Sequence, residues 1–169
     1  MKLTSAQASK VLRKLNEELK TLQVREENTK SFIASIEEDI ESVRPDYDYA
    51  SMQTEQKNIE FKIRKLKHAL NVFNTTQIIP EYNITIDEML VYLPQLTKQC
   101  SKLSSMKDAL PKTRNNQGYY HNSSIIDYRY ANYDPKQAEE DYFSLNNELA
   151  KAQTALDIVN NTVEFEVDI

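Results

Sequence analysis

Glycine is nearly absent from this sequence of 169 residues, which contains a single one. A G-x-G-x-x-G dinucleotide loop and a G-x-x-x-x-G-K-[ST] phosphate loop each need several, because only glycine combines positive φ angles with close backbone approach. Both loops are excluded. His68 and His121 stand too far apart for an H-E-x-x-H zinc motif, and the lone Cys100 excludes an internal disulfide and a C-x-x-C site. We therefore expect no cofactor, no metal site and no enzymatic activity, with Cys100 as a packing residue.

Long apolar runs are also missing. No stretch approaches the ~20 consecutive apolar residues that cross a membrane, and no secretory signal is visible. We therefore predict a cytoplasmic protein without a membrane partner. The net charge is −5, and the segment 134–169 carries nine acidic residues against two lysines. General nucleic-acid binding relies on neutralising phosphates, so an acidic chain argues against that partner, while a locally basic pocket stays open.

Apolar residues repeat at alternating spacings of three and four in two stretches, one on each side of Pro45. This heptad pattern is typical of a helix packed lengthwise on a partner helix. We predict a first helix from a capping box at Thr4 to Arg44, and a second from an N-cap at Asp48 to about Asn74. The seam positions are Leu12, Leu15, Leu19, Leu22, Ile33, Ile36, Ile40 and Val43, followed by Met52, Gln56, Ile59, Ile63, Leu66, Leu70 and Phe73.

Beyond residue 74 the period changes and shorter elements follow. Thr85 and Asp134 are the capping residues of two further helices, and Pro94 should kink the first of these. The predicted elements are a β-hairpin over 75–86, a third helix to about Leu110, a loop over 111–124, a strand over 125–133, a fourth helix from Pro135 and a terminal strand over 162–168.

The elements together predict a mainly α (α+β) fold: a long antiparallel helical hairpin, two further helices and a small β-sheet at one end. We expect a single elongated domain, 1–169, in the segments 1–74, 75–133 and 134–169. Forty helical residues extend about 60 Å, and a single hairpin leaves much of such a seam uncovered. Self-association would complete the burial, so we expect a homo-oligomer. Glu26 and Thr29 interrupt the first seam, either to set the helix register or to line a cavity.

A few polar positions add a resemblance to this architecture. They are the Met1-Lys2-Leu3 opening, Asn71 and Asn74-Thr75 at the end of the second helix, Thr85-Ile86-Asp87-Glu88, Tyr128-Arg129-Tyr130, and Asn160-Asn161-Thr162 before the last strand. In this order the chain resembles the septicolysin-type family of small bacterial proteins. The resemblance implies the architecture and an assembled state, and it carries over no catalytic residue. Pro94, the longer aromatic loop over 111–124 and the lack of a tryptophan near the C-terminus depart from the family pattern.

The segment 114–133 is the densest candidate for a binding site, since it holds five of the ten tyrosines. Tyrosine offers a flat face and a hydroxyl, arginine a planar fork for phosphate, and asparagine can contact a base or ribose edge. These groups suit a flat anionic molecule such as a nucleotide. The alternative is that the tyrosines form a strand or an oligomer interface. The candidate ligand-binding residues are Arg64, Arg114, Tyr119, Tyr120, His121, Tyr128, Arg129, Tyr130 and Asn132.

Arg64 belongs to a second, basic stretch in the predicted second helix, between Lys57 and His68. One interpretation is a solvated face beside the seam. The other is that its cations neutralise an anion or pair with the acidic fourth helix of this or a neighbouring subunit. The cations are Lys57, Lys62, Arg64, Lys65 and Lys67, and Glu60 is the one acid among them.

These observations favour a non-catalytic, homo-oligomeric binding protein. It would sequester a small phosphate-bearing, nucleotide-like ligand in pockets lined by arginine and tyrosine, for instance as a phage counter-defence sponge against a bacterial nucleotide signal. The alternative is a helical scaffold, or protein-interaction module, that has no small-molecule ligand. An exposed apolar stripe in the assembled protein would favour the scaffold.

Overall fold

The computed structural model describes residues 1–115 and 127–169. In chain order its elements are β1 (Lys2–Thr4), α1 (Ser5–Thr29), α2 (Ile40–Val43), α3 (Tyr49–Thr76), β2 (Ile78–Ile79), β3 (Ile84–Thr85), α4 (Ile86–Lys107), β4 (Lys112–Arg114), β5 (Tyr128–Tyr130), α5 (Pro135–Thr162) and β6 (Glu164–Glu166). Helices dominate, so the predicted mainly α (α+β) class is confirmed.

The chain forms two compact units. The first comprises Met1–Gln77 and Ile158–Ile169, and the second comprises Ile78–Asp157. The single elongated domain expected from the sequence stays a prediction. Among the described residues the strands form three separate two-stranded antiparallel pairs, β1–β6, β2–β3 and β4–β5. The expected single small sheet is therefore wrong.

The helical hairpin of the first unit is formed by α1 and α3. Leu66 of α3 is fully buried and packs in one cluster with Ala8, near the start of α1, and with Val167. Glu26, near the end of α1, bonds to Gln53 and Gln56, near the start of α3. The two helices therefore run antiparallel, as predicted. In α3, the seam positions Met52, Ile59, Leu66 and Phe73 are buried, which confirms its heptad pattern.

The first helix ends fifteen residues earlier than predicted, at Thr29 instead of Arg44. Residues 31–39 are not α-helical, and α2 is only a four-residue turn. A continuation of α1 beyond Thr29 would extend past the start of α3 at Tyr49, and a helical segment of that length without a packing partner is marginal in water. Local bonds compete as well: the Glu38 carboxylate accepts the Ser35 backbone N–H and hydroxyl, both at 2.8 Å.

The helix starts agree with their capping signals. The Thr4 hydroxyl accepts the Gln7 N–H at 3.2 Å, and the Gln7 side chain accepts the Thr4 N–H at 3.0 Å. Thr85 and Glu88 form the same reciprocal pair at the start of α4. Each pair satisfies two of the amide groups that the first helical turn leaves free. These local signals explain why the sequence predicted these starts correctly.

The terminal strand is confirmed in part, because α5 extends through Thr162 and β6 covers only Glu164–Glu166. Its partner β1 was not predicted. The register pairs Leu3 with Phe165, and the Phe165 ring stacks on Phe73 of α3 at a centroid distance of 4.9 Å. A three-residue strand has no recognisable period of its own, so only its pairing with β6 defines it.

In the second unit the predicted β-hairpin is present, although it begins at Ile78 because α3 continues through Thr76. Asn83 closes its turn at φ 53°, a left-handed conformation that asparagine tolerates better than most residues. Helix α4 contains Pro94 and ends at Lys107, three residues before the predicted end. Cys100 is buried, in keeping with a packing role.

Two further differences concern the segment before α5. Part of the predicted loop over 111–124 is a strand, β4, because it pairs with β5. The strand predicted over 125–133 covers Tyr128–Tyr130, and its residues 125 and 126 lie outside the described part. The start of α5 agrees with its capping signal, since the Asp134 carboxylate accepts the Lys136 N–H at 2.9 Å.

No helix in residues 1–115 and 127–169 has the length and hydropathy needed to cross a membrane.

Glu26, a polar residue that interrupts the first seam, accepts three side-chain hydrogen bonds. The Glu26 carboxylate accepts the Tyr47 hydroxyl at 2.9 Å and the side-chain amides of Gln53 and Gln56, both at 2.7 Å. These donors, led by Gln56, hold the pKa of Glu26 below its ordinary value of 4.5. The arrangement agrees with the interpretation of Glu26 as a register device, since a shift of either helix by one turn would leave the carboxylate without these donors.

We expect Glu26→Gln to lower the melting temperature at pH 7, because an uncharged amide replaces the carboxylate that accepts three bonds. A carboxylate whose pKa is lowered in the fold stabilises it above the unfolded pKa, and that contribution disappears as pH falls through the folded value. The difference in Tm between the parent chain and the variant should therefore shrink below about pH 4.

Glu18→Gln is the matched control, because Glu18 is an exposed carboxylate on the same helix. Thermal melts of the three proteins between pH 3 and pH 8 would measure the effect. A Tm difference for Glu26→Gln that is the same at every pH, or no larger than that of the control, would contradict the assignment.

Candidate functional site

The β4–β5 ribbon carries part of the predicted binding segment. Its register pairs Lys112 with Tyr130, Thr113 with Arg129, and Arg114 with Tyr128. Residues directly opposite one another in an antiparallel pair share a face, and neighbours along a strand alternate. One face therefore presents Lys112, Arg114, Tyr128 and Tyr130, which we call the Lys-Arg-Tyr face, and the other presents Thr113 and Arg129.

The backbone bonds bring the side chains of the Lys-Arg-Tyr face close together. Asn115 N–H donates to Asp127 C=O at 2.9 Å, and Ala131 N–H donates to Pro111 C=O at 3.1 Å. These bonds lie two residues to either side of the Thr113–Arg129 pair. Both residue pairs of the Lys-Arg-Tyr face are therefore non-hydrogen-bonded pairs, in which the opposed Cα atoms approach to ~4.5 Å.

Lys112 contacts both tyrosines of this face. Its ammonium lies 3.9 Å from the centre of the Tyr128 ring and 5.4 Å from that of Tyr130. Both distances are within the ~6 Å over which a ring attracts a cation. The rings remain accessible, since Tyr128 is 45% exposed and Tyr130 63% exposed. The face therefore combines two cations with two reachable aromatic surfaces.

Lys112 is not among the site residues predicted from the sequence, because the prediction for 111–124 is a loop. A usable signal was present: Lys112 and Arg114 alternate with Thr113, as Tyr128 and Tyr130 alternate with Arg129. Two alternating stretches separated by a long connection are compatible with a paired ribbon. The pairing register, which brings the two stretches to one face, is a property of the fold.

The other predicted residues have different positions. Arg129 lies on the opposite face of the ribbon from Arg114, so one pocket of a single chain cannot be lined by both arginines of the ribbon. Asn132 is exposed beyond the end of β5. Tyr119, Tyr120 and His121 lie outside the described residues.

Arg64 belongs to the first unit, where it lines a groove between α1 and α3. The groove has a volume of about 460 Å³. Half-buried Leu19 and Ile63 contribute apolar surface to it, and the Arg64 guanidinium also lies 5.6 Å from the centre of the Phe61 ring. The remaining lining residues are Asn16, Glu60, Lys67, His68 and Asn71. Arg64 and the ribbon therefore belong to different units of the chain.

Tyr82 has a strongly raised pKa. Burial, followed by a hydrogen bond with Glu148, raises the pKa of Tyr82 to about 12. A tyrosine is protonated at neutral pH in any case, and the raised pKa extends that state to higher pH. In residues 1–115 and 127–169, no three His, Cys, Asp or Glu side chains are grouped so that they could hold a metal ion.

No family model and no curated protein matches this chain. A crystal structure of a functionally unknown conserved protein from Corynebacterium diphtheriae is similar over 98% of this chain and 100% of that one, at a TM-score of 0.58 and 17% sequence identity. At this identity the likeness shows the fold alone. The resemblance to the septicolysin-type family stays a prediction.

The register of the ribbon can be tested by a cross-strand disulfide. Thr113→Cys combined with Arg129→Cys places two thiols at directly opposed positions, whose Cα separation of ~5.5 Å suits a disulfide. We expect this double variant to oxidise readily, with Cys100 buried and out of competition. Peptide mass spectrometry would identify the crosslink.

Thr113→Cys with Tyr130→Cys is the control, because its thiols belong to opposite faces. Equal crosslinking of the two double variants, or preferential crosslinking of the control, would show that the ribbon has a different register.

Proposed function

We propose that this chain is a non-catalytic binding protein that holds a small phosphate-bearing, nucleotide-like ligand on the Lys-Arg-Tyr face of the β4–β5 ribbon. The observation that supports it is the gathering of Lys112, Arg114, Tyr128 and Tyr130 on one accessible face. Arg114 offers a planar fork for a phosphate, and Lys112 a second positive charge. Tyrosine rings stack on the flat face of any nucleotide base.

The two arginines of the ribbon provide a matched test. We expect Arg114→Ala to weaken binding about 10- to 100-fold, because a charge-assisted hydrogen bond contributes about 1.5–3 kcal/mol. Arg129→Ala removes the same charge from the opposite face and should change the affinity by less than about threefold, so that long-range electrostatics is controlled. Isothermal titration with AMP, 3′,5′-cyclic AMP and ADP-ribose would measure both.

No heat with any of the three nucleotides would end the proposal. Equal losses for the two variants would also count against this face as the site, because a ligand held on one face of the ribbon must distinguish them.

The proposal includes a homo-oligomer. Between α1 and α3, Ile33 and Ile36 are 96% and 105% exposed, and Phe32, Ile40 and Val43 are also exposed. Burial of a side chain of this size contributes about 1.5–3 kcal/mol. Five such residues in a stretch of twelve are a considerable apolar surface in water. A neighbouring copy would cover them, in keeping with the self-association expected from the sequence.

Ile33→Asn combined with Ile36→Asn should shift the assembly toward the 19.7 kDa single chain on dilution, because the surface that would hold the copies together becomes polar. Native mass spectrometry would report the stoichiometry and any retained small molecule. Ile33→Val with Ile36→Val is the control that keeps the surface apolar. An unchanged subunit number in the asparagine variant would contradict the use of this segment.

The same exposed residues favour a second candidate function, a helical scaffold that recruits another protein. The scaffold differs in its expectation for the assembled protein, in which the segment 32–43 would still bind a hydrophobic dye. Loss of dye binding on Ile33→Asn with Ile36→Asn, without loss of assembly, would support it. Sequestration of a bacterial nucleotide signal by a phage protein stays a prediction from the sequence, as does a cytoplasmic location.

A further inference from the structure

The position of Lys112 suggests how the Lys-Arg-Tyr face would admit a ligand. Exposed lysines ordinarily extend into water, where the ammonium is strongly hydrated. Here the ammonium instead lies against two rings, at 3.9 Å from the centre of Tyr128 and 5.4 Å from that of Tyr130. The lysine thus occupies the aromatic surface that a ligand would use.

The spacing of the two tyrosines matches a flat molecule. Residues i and i+2 of a strand stand on the same face, with their Cα atoms ~6.6–6.8 Å apart. Stacked bases repeat every ~3.4 Å, so two rings that project in parallel from Cα atoms at twice that spacing would leave room for one planar base between them. A base held in this way would be stacked on both sides, by Tyr128 and by Tyr130.

We propose that Tyr128 and Tyr130 form a slot for a single planar base, and that Lys112 fills this slot until the base displaces it. This inference rests on the proposed function and names the ligand class of the same face: a planar ring linked to a phosphate. The displaced ammonium, on its flexible four-carbon stem, turns to the phosphate beside Arg114.

The charges make this exchange favourable for a nucleotide and unfavourable for a nucleoside. A base without a phosphate must displace the Lys112 ammonium from the rings, and it supplies no anion with which the ammonium could pair. A nucleotide supplies the anion that receives it, together with the Arg114 fork. Lys112 would therefore act as a specificity residue, which disfavours uncharged aromatic molecules.

The test is the opposite effect of Lys112→Ala on a nucleotide and on adenosine, which lacks the phosphate. AMP and 3′,5′-cyclic AMP differ from adenosine by a phosphate alone, and ADP-ribose differs from it by two phosphates and a second ribose. Adenosine should bind the variant about 2- to 5-fold more tightly than the parent chain, the gain from an exposed cation–ring contact that no longer has to be broken. The tightest-binding of the three nucleotides should bind the variant about tenfold more weakly, since a charge-assisted contact is lost.

Lys98→Ala is the control for net charge, because Lys98 is an exposed lysine of α4, and it should leave both affinities within about twofold. Proton NMR gives a second readout that does not depend on affinity. The side-chain methylene protons of Lys112 next to the ammonium should be shifted upfield in the free protein by the two rings. They should return toward their ordinary position when a nucleotide is added.

The outcomes separate the two proposals. If none of the three nucleotides binds, the proposed function fails and the slot fails with it. If a nucleotide binds but Lys112→Ala changes both affinities in the same direction, the slot is wrong while the proposed function stands. Unshifted Lys112 protons in the free protein, or Lys112 protons that stay shifted when a nucleotide binds, would also overturn the slot.

Discussion

The pairing of α1 with α3 limits how much apolar surface the first unit can cover by itself. Leu66 is fully buried against Ala8, and the helices continue together as far as Glu26, where α3 has its first turns. Beyond that point α3 offers no further turn on which a longer α1 could pack. Ile33 and Ile36 follow and are fully accessible to solvent. The end of α1 and the exposed apolar segment therefore have the same cause.

Glu26 shows why a polar residue can strengthen the definition of such a hairpin. A leucine at this position would pack in several registers, because apolar contacts are not directional. The carboxylate instead needs donors at defined positions, and it finds them in Tyr47, Gln53 and Gln56. The half-buried charge thus selects one alignment of α1, α3 and the connection between them, at a point where the apolar seam is interrupted.

The sequence allowed correct prediction where the structure depends on neighbours along the chain. The capping boxes at Thr4 and Thr85 and the heptads of α3 are local, and they were identified correctly. Strands β1 and β4 were missed, because three residues have no period and only the distant partner makes them strands. Ile33 and Ile36 continue the heptad of α1, yet a heptad reports the need for a partner helix and not its presence.

The candidate site follows the same rule. Alternation in Tyr128-Arg129-Tyr130 correctly separated the tyrosines from Arg129, but the identity of the cations beside them depended on the register of β4. That register brings Lys112 and Arg114 to one face, where their like charges would repel each other without an anion. The nearby Tyr128 ring attracts the Lys112 ammonium at 3.9 Å and relieves part of this repulsion. Such a contact is weak at an exposed site, and a phosphate would neutralise the two cations far more completely. In the proposed function, a phosphate-bearing ligand would therefore readily replace the contact between Lys112 and Tyr128.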